Sequence, residues 1–318
     1  MSTTLPADGN QVRLERILVP LDGSRQSARA LDVAARLPAR ELILLHVQSG
    51  GGIHLPGLSF GGHGDKAGDI RSRLESLAAP LRTSERTVEI DIRSGDATDE
   101  ILGAAANCDL VVMATQGRNA AGRLLFGSTA DRVSRHSPTP TLLVRTKGED
   151  AAITVPVRIV VPLDGSDLAE GALPIAATLA RVIPLPLHLV RAVDLDGIRA
   201  TIQEQRKREA DAPPLKDEEH TYEEARQLTE QRASSYLADT AEPLAGQGLD
   251  VHTGLLKGTP VFALLEAIQP DDLVVMTSHG HRGFRRMMLG SVAEKLVRES
   301  KGPVLLVPTR TPPAPADA

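Results

Sequence analysis

Leu273 to Val292 reads LVVMTSHGHRGFRRMMLGSV, and Leu110 to Thr129 reads LVVMATQGRNAAGRLLFGST. In each, an apolar run of strand length ends in a turn carrying a glycine, Gly280 or Gly117. After nine intervening residues a second glycine, Gly290 or Gly127, stands before a serine at the head of a helix pattern. An unbroken apolar run is what a strand covered on both faces of a parallel sheet needs. A glycine turn followed by a helix start gathers exposed backbone N–H groups around one concavity, which suits a phosphate.

The likeness of these stretches extends through the chain. Arg16 to Ser24 (RILVPLDGS) and Arg158 to Ser166 (RIVVPLDGS) agree at eight of nine positions, at an offset of 142 residues. Asp109 to Met113 repeats as Asp272 to Met276, and Gly95 and Gly127 return as Gly258 and Gly290, all at an offset of 163. The chain is one domain copied twice, with a period too long for a solenoid. The second copy carries a net insertion of 21 residues, the difference between the offsets of 163 and 142.

Each copy reads as five strands alternating with helices. In the first, the strands are ILVPL, LILLHV (Leu42 to Val47), VEIDI (Val88 to Ile92), LVVMA and TLLVR (Thr141 to Arg145). Helices are expected from near Ser24, over 69–79, 98–106 and 129–136, with a Gly-rich loop from Gly50 to Gly68. This alternation predicts an α/β fold, an open parallel sheet with helices on both faces, once per half. Domains are expected at 1–150 and 151–318, joined by a linker over Gly148 to Pro156. A charged insertion at about 194–235 is expected to form two helical pieces broken at Pro213-Pro214, as a surface elaboration or a lid over the second site. The polar start and the Pro/Ala-rich end read as loose tails.

Composition narrows the classes. Aromatic residues make up 2% of the 318 and there is no Trp, so the cores must be aliphatic. A net charge of −5 lacks the basic footprint of a nucleic-acid binder. No apolar run approaches the ~18 residues of a membrane span, and the N-terminus lacks a signal-peptide pattern. The single Cys108 has no cationic neighbour in sequence and reads as a small core-edge residue in a reducing compartment. A cytoplasmic location is expected.

In an open parallel sheet, ligands bind beyond the C-terminal strand ends where the winding reverses. Asp22 and Asp164 follow the first strand of each copy, and the glycine stretches follow the fourth. They share one crevice if the strand order is 3-2-1-4-5, a Rossmann-like arrangement. A carboxylate suits ribose hydroxyls and helix-start N–H groups suit phosphates, so a nucleotide fits. Structural readings compete: Asp22 and Asp164 as Asx-turn residues, and Ser128 to Asp131 and Ser291 to Glu294 as capping boxes. Walker A and G-x-G-x-x-G patterns are absent, and no catalytic triad emerges. His279 and His281 stand two apart, without an acid or Cys close in sequence, and no metal site is assigned.

VPLDGS, LLHV, and VVMTSHGHRGFRRMMLGSVAEKL followed by PVLLV resemble the universal stress protein family, once in each half. ATP-binding members of that family carry G-x-x-G, nine residues, then G-[ST]. Here the first glycine is replaced by Ala114 in one copy and Thr277 in the other. The resemblance implies the 3-2-1-4-5 order and halves associated as a pseudo-dimer through their fifth strands, with a homodimer also possible. It implies site residues Pro20, Asp22, Val47, Gly117, Arg118, Gly127, Ser128 and Thr129 in the first half. In the second half they are Pro162, Asp164, Ala192, Gly280, His281, Gly290, Ser291 and Val292. The implied ligand is ATP, or AMP or cyclic AMP, with Mg²⁺ accompanying the phosphates. The implied role is a stress-response sensor or interaction module with at most weak ATPase activity; a nucleotide-free protein scaffold is the alternative.

Overall fold

A computed structural model of the protein describes residues 13–48, 54–55, 58–59, 67–115, 127–145, 155–208, 218–278 and 289–309. The chain divides into two compact units, Met1–Ile153 with Leu305–Pro308, and Thr154–Val304 with Thr309–Ala318.

The first unit begins with β1 (Arg16–Pro20), α1 (Arg25–Ala34) and β2 (Glu41–Gln48). A short antiparallel pair follows, β3 (His54–Leu55) and β4 (Leu58–Ser59), inside the stretch expected to be loop. Then come α2 (Ala67–Ala78), β5 (Thr87–Ser94), α3 (Ala97–Ala105), β6 (Leu110–Thr115), α4 (Ser128–His136) and β7 (Thr141–Arg145). The long strands are parallel, in the order β5-β2-β1-β6-β7, which is 3-2-1-4-5 within this unit. Ile17, Leu18 and Val19 are all fully buried. Successive strand residues point to opposite faces, so both faces of β1 are covered. Each such side chain contributes roughly 1.5–3 kcal/mol relative to exposure.

The second unit opens the same way with β8 (Arg158–Pro162), whose Ile159, Val160 and Val161 are buried. Its first helix is broken into α5 (Asp167–Glu170) and α6 (Leu173–Val182). Pro174 lies at the start of α6 and has no N–H to continue the α5 ladder, so the helix restarts there. β9 (Leu187–Val193), α7 (Leu195–Arg208) and α8 (Glu218–Ala245) follow. The chain continues through β10 (Val251–Lys257), α9 (Pro260–Ala267), β11 (Asp272–Thr277), α10 (Ser291–Glu299) and β12 (Val304–Val307). Its parallel pairings run β10-β9-β8-β11, the 3-2-1-4 part of the same order. The Val274 N–H donates to the Pro303 carbonyl at 3.0 Å, as Val111 does to Pro140 at 2.9 Å in the first unit. The fourth strand therefore meets the start of the fifth in the same way in both.

The stretch expected as an insertion, about 194–235, holds two helical pieces, α7 and the first part of α8, as expected. Ala233, Leu237 and Leu244 of α8 are buried, and the helix packs along β9 and β10 as the crossover between them. Pro213-Pro214, both termini and most of the linker lie outside the described residues.

Candidate functional site

Every strand of each unit's parallel sheet ends at one edge, and the candidate residues are arranged along it. Pro20 and Pro162 close β1 and β8, Val47 and Ala192 lie near the ends of β2 and β9, and Asp22 and Asp164 begin the turns that follow. Because β1 lies between β2 and β6, and β8 between β9 and β11, each turn opens at the point where the winding reverses.

The turns are built identically. Leu21 N–H donates to Leu45 O at 2.8 Å and Leu163 N–H to Val190 O at 2.8 Å, carrying the ladder one residue past the proline. The Asp22 Oδ1 then accepts from the Ser24 N–H at 2.9 Å and the Ser24 hydroxyl at 2.6 Å. Asp164 Oδ1 does the same with Ser166, at 2.9 and 2.5 Å. Gly23 and Gly165 supply the left-handed φ of +83° and +86° that the bend requires. Ser24 and Ser166 also cap the next helices, accepting from Ser27 N–H and Ala169 N–H. The Asx-turn reading therefore holds structurally. It leaves both aspartates exposed at the C-terminal edge of the strands. Enclosure by the turn works against ionisation of Asp22, but the Ser24 hydroxyl and N–H outweigh it and hold the carboxyl below its ordinary range.

The helix starts correct one expectation. Gly127 and Gly290, rather than Ser128 and Ser291, are the N-cap residues, and the serines are the first residues of α4 and α10. A serine one position inside the helix cannot form the reciprocal capping box. Asp131 is instead paired with Arg135 through two bonds of 3.0 and 2.9 Å, and Glu294 bonds Arg298 at 3.1 Å. The first helical bonds run from Asp131 N–H to Gly127 O and from Glu294 N–H to Gly290 O, at 2.9 and 2.8 Å. The N–H groups of Ser128 and Thr129, and of Ser291 and Val292, come before them and point out of the helix end. Gly290 N–H donates to Ser278 O at 2.9 Å, which ties the start of α10 to the end of β11. Gly117, Arg118, Gly280 and His281 lie outside the described residues, as does His279.

Thr277, in place of the motif's first glycine, is buried. Its Cγ2 lies 3.5 Å from where a Cβ on Gly171 would stand, so its methyl is turned toward the α5–α6 junction. Ala114 is half-buried. Among the described residues no three His, Cys, Asp or Glu side chains are grouped so as to hold a metal. Cys108 is pushed up to about 11 by burial, and its thiol donates to Ala104 O.

Sequence reasoning missed the side chains flanking the turns. In the first unit His46 Nδ1 lies 2.7 Å from Leu21 O. The strand register puts Arg191 at the equivalent place in the second unit, since Leu44 pairs with Val19 and Leu189 with Val161. Arg191 lies over the Tyr236 ring, and the Tyr236 hydroxyl donates to Glu170 Oε1 at 2.8 Å. Burial, then the Glu170 carboxylate, raises the Tyr236 pKa. Only a copy-to-copy alignment of the second strands could have flagged this exchange of His for Arg.

The sequence model of the universal stress protein family matches residues 13–145 and 157–308. A universal stress protein of Mycolicibacterium smegmatis is 29% identical over 225 residues, 70% of each chain. Another, from Methanocaldococcus jannaschii, is 27% identical over 155 residues, 47% of this chain and 81% of the relative. The crystal structure of a universal stress protein from Archaeoglobus fulgidus superposes with a TM-score of 0.63 at 20% identity, covering 93% of this chain and 99% of the other. That last likeness is one of fold.

Proposed function

Because the chain belongs to the universal stress protein family, with two copies of its domain, we propose that it is a cytoplasmic adenine-nucleotide-binding protein acting as a sensor or interaction module in stress response. The observation that carries the reading is the repeated pairing of an exposed carboxylate turn with a glycine-capped helix start on one sheet edge. Asp22 or Asp164 would hold the ribose, the backbone at Val47 or Ala192 the adenine, and the N–H groups of Ser128-Thr129 or Ser291-Val292 the phosphates of ATP. Gly127 at φ −62° and Gly290 at φ −59° have backbones that any residue could adopt. What glycine adds there is the absence of a Cβ beside a ligand. Gly117, Arg118, Gly280 and His281 would complete the phosphate end. Mg²⁺ would arrive with the phosphates, which commonly supply much of its coordination.

The test is mass spectrometry of ligand released from purified protein, with calorimetry against ATP, AMP and cyclic AMP. Binding of at least one, weakened roughly tenfold or more by Asp22→Ala or Asp164→Ala, is the expected result. No binding at millimolar nucleotide would overturn it. Turnover is outside the proposal; phosphate release that both Asp→Ala changes abolish would add a slow ATPase. The substitutions Ala114 and Thr277 favour a second reading, a nucleotide-free scaffold for protein partners, in which Gly117→Val and Gly280→Val destabilise the fold and change no ligand affinity. The proposal extends to an intrachain pseudo-dimer and to a homodimer that sedimentation would detect.

A further inference from the structure

One cation in the second unit, Arg191, is held in place by flat contacts, with no hydrogen-bond partner among the described residues. The Arg191 guanidinium carbon stands 4.9 Å from the centre of the Tyr236 ring. Gly165 lies against it too: a Cβ built there would be 2.9, 3.1 and 3.1 Å from Nη1, Cζ and Nη2. Near-equal distances to three atoms of a plane mean that Gly165 faces the flat of the guanidinium. Its N–H donors lie in that plane, and among the described residues none of them has an acceptor. Tyr236 is itself fixed by its 2.8 Å bond to Glu170, so the clamp joins α8, α5 and β9 beside the Asp164 turn.

Among the described residues the first unit has no such clamp. His46 replaces Arg191 and turns to the Leu21 carbonyl, and the position matching Glu170 is Ala28. The two crevices therefore share a carboxylate turn and differ in the charge beside it. A carboxylate alone suits ribose hydroxyls; an arginine close by instead accommodates a phosphate on the sugar. The edge of a guanidinium can donate to two phosphate oxygens at once, and a pre-positioned one loses less side-chain freedom on binding.

We propose that Arg191 makes the second crevice selective for an adenine nucleotide that carries a phosphate on its ribose, at the 2′ or 3′ oxygen, over one with both hydroxyls free. This rests on the reading of the Asp164 turn as the ribose end of a nucleotide site. Tyr236 and Glu170 act through Arg191 as positioning residues.

The experiment is calorimetry on the full-length chain bearing Asp22→Ala, which removes the first crevice's carboxylate. The probes are AMP, adenosine 2′,5′-bisphosphate and adenosine 3′,5′-bisphosphate. At least one bisphosphate is expected to bind roughly tenfold or more tightly than AMP. Adding Arg191→Met should bring that ratio near one, and Arg191→Lys, which keeps the charge without the planar fork, should fall between. Circular dichroism melting identifies a variant that does not fold, in which case Arg191→Lys alone decides. Equal affinity for all three probes, or a preference that survives Arg191→Met, overturns the proposal. The unmodified chain separates the two levels of inference. AMP bound there but lost with Asp22→Ala, and no bisphosphate bound, refutes the Arg191 proposal alone. Absence of every nucleotide from the unmodified chain refutes the underlying site.

Discussion

The two units begin alike and then part. From the first strand through the Asp-Gly-Ser turn, they agree in sequence, in register and in the bonds from serine to aspartate. Beyond the turn, α1 runs unbroken while α5 and α6 are split, His46 is exchanged for Arg191, and a 12-residue α2 is answered by a 28-residue α8. What was retained is what the backbone demands: a buried strand, a left-handed glycine, a capped helix start. What diverged is the side-chain furniture around the crevice. A duplicated chain can thus keep one scaffold and present two chemically different openings.

The largest measurable difference should come from a pair of equivalent aspartates. Asp272 is completely buried, receives Arg158 through two bonds of 2.6 and 2.9 Å, and accepts the Gln269 N–H at 2.8 Å. Asp109 is half-buried and, among the described residues, accepts the Glu15 and Arg16 N–H groups, both at 2.9 Å. Arg16 instead stands 3.0 Å from Glu41, with its Nε outside hydrogen-bond geometry. Asp272→Ala should cost the second unit about 3 kcal/mol, since it strands a cation whose partner was buried. Asp109→Ala should cost the first about 1–2 kcal/mol. Denaturant unfolding followed at both units' transitions would compare them, and equal losses would break the contrast.

Next in size is the approach to the fifth strand. A Cβ on Gly302 would sit 2.3 Å from the Asp272 carbonyl oxygen, so backbone must move to admit one. The first unit has Thr139 there, whose hydroxyl donates to Ala105 O at 2.6 Å. Gly302→Ala should lose about 2 kcal/mol through overpacking. Thr139→Gly should lose about 1–2 kcal/mol through the missing bond and the added chain freedom. Melting of the two variants side by side checks this.

A smaller effect belongs to the turn itself. Asp22 has its folded pKa lowered below 3.8, so its contribution is present above that ordinary value and disappears as pH falls through the lower folded one. Asp22→Asn should therefore cost about 1 kcal/mol near neutrality and progressively less in acid. A loss independent of pH would show that charge is immaterial to the bend. Smallest is Cys108, matched by Asp271 in the second copy. With its pKa at about 11, the thiol should label slowly in the native chain at pH 8 and fast once unfolded. Rapid native labelling would contradict its place against Ala104.

Much of this was legible in advance because it is local. The runs at Ile17 to Val19 and Leu110 to Met113 are apolar without alternation, which only a doubly covered strand tolerates. Gly23, Gly165, Gly95 and Gly258 all adopt positive φ at strand ends, so their recurrence marked real turns. The capping box failed as a sequence inference because a one-residue shift of the helix start, from serine to the preceding glycine, converts a capping side chain into an ordinary first-turn residue. The break between α5 and α6 was written at Pro174 and went unread, since the surrounding apolar spacing continues through it.

By itself the sequence determined the duplication, the alternation of strand and helix, and the residue types at each strand end. These follow from periodicity and backbone preference, which act over a few residues. Only the tertiary structure decided that Arg191 rests on Gly165 and Tyr236, that Thr277 turns its methyl toward Gly171, and that α8 is a crossover helix. Such contacts join positions 26 to 106 residues apart. They depend on strand register and helix packing, and no local preference encodes those.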